Sequence, residues 1–417
     1  MIKRIFKLYY EAYSGLPRKV WYLSLVLLIN RSGAMILPFL TVYLVDKLGY
    51  KPTQAAWAMF SLGIGGVVGN YIGGKLNDKY GSWHVQWMAI IASGLLFVSM
   101  AWVTELWSLC GLIFLSTAAA DCFRPANRAA VAYYTPPEQL TRAFGLQRMA
   151  VNLGLAFGPM LAAFLLGFAG YKWLFWGDGL TCLLAAATFL WLIPADRTAR
   201  PLVDETTAEE VLDGPTAKEA IPALRSGWMM TFAGSNLLLM LTFFLFIGIL
   251  PVEMVERGYE ELDYSYLLLF NGLLIVAFEM ILLQLIKGKI GLLKIMRFGA
   301  VLIILGNLFL WLGGLKLSIL YIYIFFATFG EIFYMPFTHT YVAMYAPLAR
   351  RGEYLGIMSA SYAAAFSLVA PFCFQLEAWF GWSTMVMLSC VTGIIALGGL
   401  SLMGKRERRN QAELDLA

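Results

Sequence analysis

Histidine is nearly absent from this chain: His84 and His339 are the only two in 417 residues. A histidine-rich metal or catalytic cluster is therefore excluded. Cysteine is scarce as well. Cys110, Cys122, Cys182, Cys373 and Cys390 form an odd set inside apolar runs, with no CxxC pair, so neither a disulfide framework nor a zinc site is expected. No nucleophile motif is present, which argues against an enzyme, and no cofactor is expected. Charge is the third shortage. Only 14% of the residues are charged, against about a quarter in a soluble domain. Such a chain cannot cover its surface with water-compatible groups. The amino terminus, MIKRIFKLYYEAYSGLPRK, has no apolar region followed by a small-residue cleavage site, so no removable signal peptide is expected.

What the chain has instead is apolar length. Hydrophobic residues make up 60% of it, and the mean hydropathy is +0.70. Runs of about 20 apolar residues recur, the length of a membrane-crossing helix. They do not alternate, which excludes barrel strands. Twelve spans are predicted: 20–45, 54–74, 84–103, 107–132, 141–168 and 171–193, then 226–254, 263–286, 294–313, 317–342, 353–378 and 382–403. Between the sixth and seventh lies a polar stretch rich in Pro, Thr, Asp and Glu. The chain thus divides into a first half (1–195), a cytoplasmic linker (196–225), a second half (226–404) and a charged tail (405–417).

The formal charge of +5 is distributed as topology, and no nucleic-acid partner is expected. Of 31 basic residues, Lys47, Lys51, Lys172, Arg257 and Lys316 fall in segments of one side and Arg31 lies inside the first span. The other 25 fall on the opposite side or at the adjoining helix ends. Basic residues favour the cytoplasmic side, so both termini are expected there. Six spans, an inner linker and six more spans describe a two-half architecture. Carriers of that design hold their substrate between the halves near mid-membrane.

The segment YIGGKLNDKYG joins spans 2 and 3. Gly74 lets helices approach closely, Gly81 permits a tight turn, and Asp78 can face the positive end of a helix. Gly74, Leu76, Asp78, Lys79 and Gly81 resemble the loop signature of the major facilitator superfamily. The two basic residues that usually follow are replaced by Ser82 and Trp83. In span 5, Gly154, Gly158 and Pro159 resemble that superfamily's antiporter motif, with Ala162 and Ala163 where glycines are frequent. Arg124-Pro125-Ala126 and Arg142-Ala143, followed by Gly145, are similar to the same region of its bacterial multidrug/proton antiporters. The resemblance covers nearly the whole chain in architecture and is strongest over 60–165. It implies an all-α membrane fold of twelve helices in two pseudo-symmetric halves. It also implies a bacterial inner-membrane location, a functional monomer in the bilayer, a small-molecule substrate and protons as the coupling ion. Gly74, Asp78, Lys79, Gly81, Gly154, Gly158 and Pro159 are then the gating and conformational residues.

Ionisable groups inside spans are costly and face the interior. Arg31 stands roughly 18 Å from one end of its helix and Glu331 roughly 20 Å from the end of its own. Glu279 stands about 12 Å from Lys287. Asp121 and Arg124 share a helical face. These five are the proton-coupling candidates, led by Glu331, with Arg31 as its expected neighbour. The plainer readings are a permanent helix-holding ion pair for Glu331, packing or a gate contact for Glu279, and an intrahelical pair for Asp121 with Arg124. His339, two turns beyond Glu331, is expected to be hydrogen-bonded or to face water. Asn30, Asn236, Asn271, Phe39, Phe243, Phe270 and Tyr334 are the substrate-cavity candidates; each either lines a cavity or packs helices. The function expected is a proton antiporter exporting small amphipathic, drug-like compounds or metabolites by alternating access. Proton-coupled uptake of a metabolite or peptide, and lipid translocation, remain alternatives. The peptide-uptake signature Glu-x-x-Glu-Arg is absent from span 1, which reads LLINRSGAM.

Overall fold

The computed structural model of the chain describes residues 14–36, 39–40, 43–168, 170–195, 221–259, 261–286 and 289–415. The basic amino terminus and most of the polar linker lie outside the described residues. A helix stands at every predicted span, and no strand occurs among the described residues. The helices are α1 (Arg18–Ser32), α2 (Pro52–Tyr80), α3 (Ser82–Met100), α4 (Leu106–Tyr134), α5 (Leu140–Phe168), α6 (Lys172–Leu192), α7 (Gly227–Gly248), α8 (Glu261–Ile286), α9 (Leu292–Gly313) and α10 (Leu317–Tyr345). The final helical run, Arg351–Asp415, is interrupted at Gly381, where φ is 78°. It therefore comprises α11 (351–380) and α12 (382–415).

Two interruptions fall inside predicted spans. The first span stops at Ser32, passes through Gly33–Met35 without helical pairing, and includes a π-helix at Tyr43–Lys47. The seventh stops at Gly248 and resumes as the short helix Leu250–Glu256, with Pro251 in its first turn. Proline fits that position because a first-turn N–H has no intrahelical partner to lose. Conversely, α2 runs past its predicted span to Tyr80, so Asp78 sits on the helix's last turn.

Packing divides the described chain into two units. The first holds 15–195, 221–222 and 342–360; the second holds 223–341 and 361–415. Residues 342–360, the end of α10 and the start of α11, thus pack with the amino-terminal helices, although they lie within the run 226–404. In the first unit, α2 lies against α4, α3 against α4 and α6, and α1 against α5 and α6. Lipid removes the hydrophobic drive between helices, so close backbone approach has to hold them. Gly65, Gly69 and Gly73 supply it on α2. A side chain at any of them would strike the α4 backbone at Phe114, Ala118 or Cys122. In the second unit a polar knot joins three helices. Thr242 on α7 donates to the Ser389 carbonyl of α12 at 2.9 Å, and Ser389 donates to Asn307 of α9 at 3.2 Å. Asn307 closes the ring on the Thr242 carbonyl at 3.4 Å.

Gly81 separates α2 from α3 at φ 79° and ψ 154°, a region essentially restricted to glycine. Gly81→Ala is expected to cost about 1–3 kcal/mol through that backbone alone, since a Cβ there would meet no neighbour. Gly234→Ala, also in open space but at ordinary helical φ, is the matched control and should change little. Unfolding in mixed micelles compares the two; equal effects would remove the backbone argument.

Candidate functional site

Three clusters of polar side chains are buried among the apolar helices. The first lies in the first unit. Arg31 ends α1, where a cation complements the helix dipole. Asp121 and Arg124 project together from α4 at a spacing of three. The Arg124 Nε donates to Asp121 Oδ1 at 2.9 Å, and Arg31 Nη2 stands 3.7 Å from the same oxygen. The other carboxylate oxygen accepts from Asn70 of α2 at 3.2 Å. Arg31 thus has Asp121 as its charged partner, on a helix 90 residues away in sequence.

The glycine motif of α5 seats this cluster. A Cβ on Gly154 would press into the Arg31 side chain and the Leu28 carbonyl, and one on Gly158 into the Ala34 carbonyl. Pro159 follows in the same helix. Beyond the α1 break, Asp178 of α6 accepts from the Met35 N–H at 2.8 Å and the Ile36 N–H at 3.3 Å. Asn30 donates to the Cys182 sulfur at 3.4 Å. Phe39 packs against a buried core that includes Leu40, Tyr43 and Phe175.

The second cluster is at the Gly81 end of α2. Asp78 accepts from the main-chain N–H groups of Gly352 and Glu353, each at 2.7 Å. Those are first-turn donors of α11 without intrahelical partners. Gly74 meets the Gly352 carbonyl and Gly356 so closely that no side chain fits. Arg350 closes onto Glu353 at 3.1 Å. Ser82 and Trp83, which replace the superfamily's usual basic pair, have other work. The Ser82 hydroxyl donates to Asn77 at 2.7 Å, and the Trp83 indole donates to the Ile193 carbonyl at 2.9 Å. Lys75 and Lys79 lie over the rings of Tyr71 and Tyr80, at 4.6 and 5.0 Å from the centroids. Asp78 lies beyond the predicted span. Burial pushes its carboxyl up to about 7, while the Glu353 and Gly352 N–H donors pull the other way.

The third cluster is in the second unit. Glu331 is buried on α10, and Asn271 of α8 reaches both Thr328 Oγ1 at 2.8 Å and Glu331 at 3.5 Å. Glu279 is fully buried on α8. His339 is buried too, with Nδ1 at 3.3 Å from the Thr338 hydroxyl and its ring stacked on Tyr362 at 5.6 Å. Asn236 donates to Ser361 at 2.9 Å. Tyr334 is fully buried. Phe243 packs among Phe244 and Phe246 at 5.4 and 5.3 Å, and Phe270 against Tyr321 at 5.3 Å.

Sequence reasoning passed over Asp178 and Asn70. Asp178 carried a usable signal, an ionisable residue between two glycines inside the sixth span. Asn70 carried none, because its role depends on a partner 51 residues away.

The family model described as Major Facilitator Superfamily matches residues 23–330. Among curated relatives, an uncharacterized MFS-type transporter, YqjV of Bacillus subtilis, is 27% identical over 31% of this chain and 32% of that protein. A Na(+), Li(+), K(+)/H(+) antiporter of Planococcus maritimus is 23% identical over 92% of this chain and 95% of that protein. Multidrug resistance protein MdtH of Edwardsiella ictaluri is 27% identical over 46% of this chain and 52% of that protein. The chain thus spans about a third and about half of the first and third of these. Among solved structures, the human organic anion transporter MFSD10 (TETRAN) superposes with a TM-score of 0.71 at 14% identity, over 91% of this chain and 98% of that one.

Asp78 yields a pH test. Its acidity is weaker when docked than the ordinary carboxyl near 4. Protonation in the window from about 4 to about 7 therefore favours the docked arrangement, and that stabilisation is lost as pH rises through 7. Exchange at the Gly352 and Glu353 amides, corrected for intrinsic rates, should be faster at pH 8 than at pH 5.5. Asp78→Asn should abolish the difference. An unchanged difference in that variant would assign the effect to another group.

Proposed function

The chain belongs to the Major Facilitator Superfamily, a family of carriers, and from that premise we propose that it is a proton antiporter exporting small amphipathic compounds from the bacterial cytoplasm. The observation that carries this reading is the third cluster. Glu331 is a buried carboxyl on α10 that accepts from Asn271 of α8, which also donates to Thr328. A buried carboxyl exposed to each side in turn can take up a proton from one side and release it to the other. The names of two relatives, an antiporter and a multidrug resistance protein, support antiport and drug-like substrates.

The basic-residue count supports a cytoplasmic position for both termini and for the α2–α3 turn. On that orientation Asp78 at the start of α11 is a clasp on the inner side, to be released and remade in each cycle. Arg31, Asp121, Arg124 and Glu279 are assigned to proton coupling alongside Glu331. Asn30, Asn236, Asn271, Phe39, Phe243, Phe270 and Tyr334 are assigned to the substrate path. The carrier works as a monomer without a cofactor, in the inner membrane.

Liposomes containing the purified chain and a trapped pH dye provide the test. Under an imposed proton gradient, a panel of amphipathic dyes of either charge is offered. Antiport predicts that a transported dye moves against the proton flow and dissipates the gradient. Glu331→Gln should reduce gradient-driven movement to the protein-free background while dye-for-dye counterflow persists. Dye accumulation along the proton flow would instead establish symport, and intact gradient-driven transport in Glu331→Gln would remove Glu331 from the proton path.

A further inference from the structure

Two guanidiniums share one carboxylate at the end of α1, and each of its oxygens already has a closer donor than Arg31. Asp121 Oδ1 takes the Arg124 Nε at 2.9 Å and Oδ2 takes Asn70 at 3.2 Å. Arg31 Nη2, at 3.7 Å, is beyond hydrogen-bonding reach of Asp121, and this buried atom has no hydrogen-bond partner. Among the described residues shown to act on it, Asp121 is the one carboxylate. Cys182 already accepts from Asn30, and the next guanidinium on α4, Arg128, adds positive charge and donates to the neutral Ser359 hydroxyl. Arg31, Arg124 and Asp121 together carry a net charge of +1, and of the two guanidiniums Arg31 is the more deeply buried, 13% exposed against 32%.

That arrangement is costly in a low-dielectric site, because a buried charge needs both a counter-charge and its hydrogen bonds. A ligand that removes the cost must bring an acceptor and a negative charge together. A cation would be repelled, and a neutral ligand would satisfy the donor without offsetting the charge. A guanidinium fork matches the planar or tetrahedral oxygens of an oxyanion. We infer that Arg31 is a substrate-recognition residue and that the substrate class is an amphipathic organic anion bearing a carboxylate, sulfonate or phosphate group. This deepens the proposed function, on whose carrier reading it rests, and gives Arg31 a role in binding beyond proton coupling. Asp121 then competes internally with the substrate for Arg31, holding the guanidinium in place while the site waits.

The test is equilibrium binding without any proton gradient, on the full chain in nanodiscs of phosphatidylcholine, which contains no anionic lipid. The probes are 2-naphthoate, 2-naphthalenesulfonate, 2-naphthylmethylammonium and 2-naphthamide, followed by saturable shifts in unfolding temperature. At least one anion should shift the transition, and the ammonium and amide should not. Arg31→Gln should weaken that anion at least tenfold, and Arg31→Lys should retain part of the affinity. Asp121→Asn should tighten the anion severalfold, which a merely structural ion cluster would not do. Should Arg31→Gln fail to fold, Arg31→Gln/Asp121→Asn removes the pair together and should also lose the anion response. A response to the ammonium alone, to no probe, or only after adding phosphatidylglycerol would overturn the inference, as would an anion response unchanged in the Arg31→Gln background. A chain that binds anions but moves no protons would sink the antiport reading and leave this one standing. Gradient-driven export of cationic dyes alone would do the reverse.

Discussion

A helix that starts away from water must find acceptors for its first N–H groups, and in this chain another helix supplies them. The need is general, since each helix start leaves four donors without partners, and hydrocarbon offers no substitute. It is met twice by the same device. Asp78 of α2 accepts from the first turn of α11, and Asp178 of α6 accepts from the segment that follows the α1 break. Each carboxyl accepts two main-chain hydrogen bonds, and each ties together elements far apart in sequence. The glycine contacts depend on these ties. Gly74 and Gly352 approach closely where Asp78 docks, and Gly158 meets the α1 break that Asp178 caps.

The helices were legible in the sequence to the extent that hydropathy is the physics that makes them. Among the described residues every one of the predicted apolar runs holds a helix, because lipid permits little else. What hydropathy cannot register is a break inside an apolar run. Ile249 interrupts the seventh span within apolar surroundings, whereas Gly33 interrupts the first just after Asn30-Arg31-Ser32, and beyond that first break Asp178 accepts from the Met35 and Ile36 N–H groups. The glycine-rich turn after α2 was legible for the opposite reason. Its Gly and Asp residues have no place in an apolar run, and Gly81 shows the positive φ that its residue type suggested.

Partners were less legible than positions. The depth of Arg31 follows from counting residues, but its pairing with Asp121 requires knowing that α1 and α4 meet. The replacement of two basic residues by Ser82 and Trp83 read as a deficit in the turn. The structure gives both residues hydrogen bonds, to Asn77 and to the end of α6, so the turn is fastened by neutral contacts. The two units also differ in the charge they bury. The first places guanidiniums around Asp121, and the second buries the carboxyls of Glu279 and Glu331.

The Asp78 contact is made with main chain, and that shapes how the contact can be repaired. Gly352 and Glu353 contribute amide hydrogens to it, and position 352 must stay glycine because a Cβ there would strike Asp78 and Asn77. An ion pair broken by mutation on one side can be restored by swapping charges on the other. A carboxylate bound to amides has no such reciprocal, because the genetic code cannot invert a peptide group. Loss of Asp78 therefore leaves no compensating substitution at its partners, and any suppressor has to arise by rebalancing the carrier at some other place.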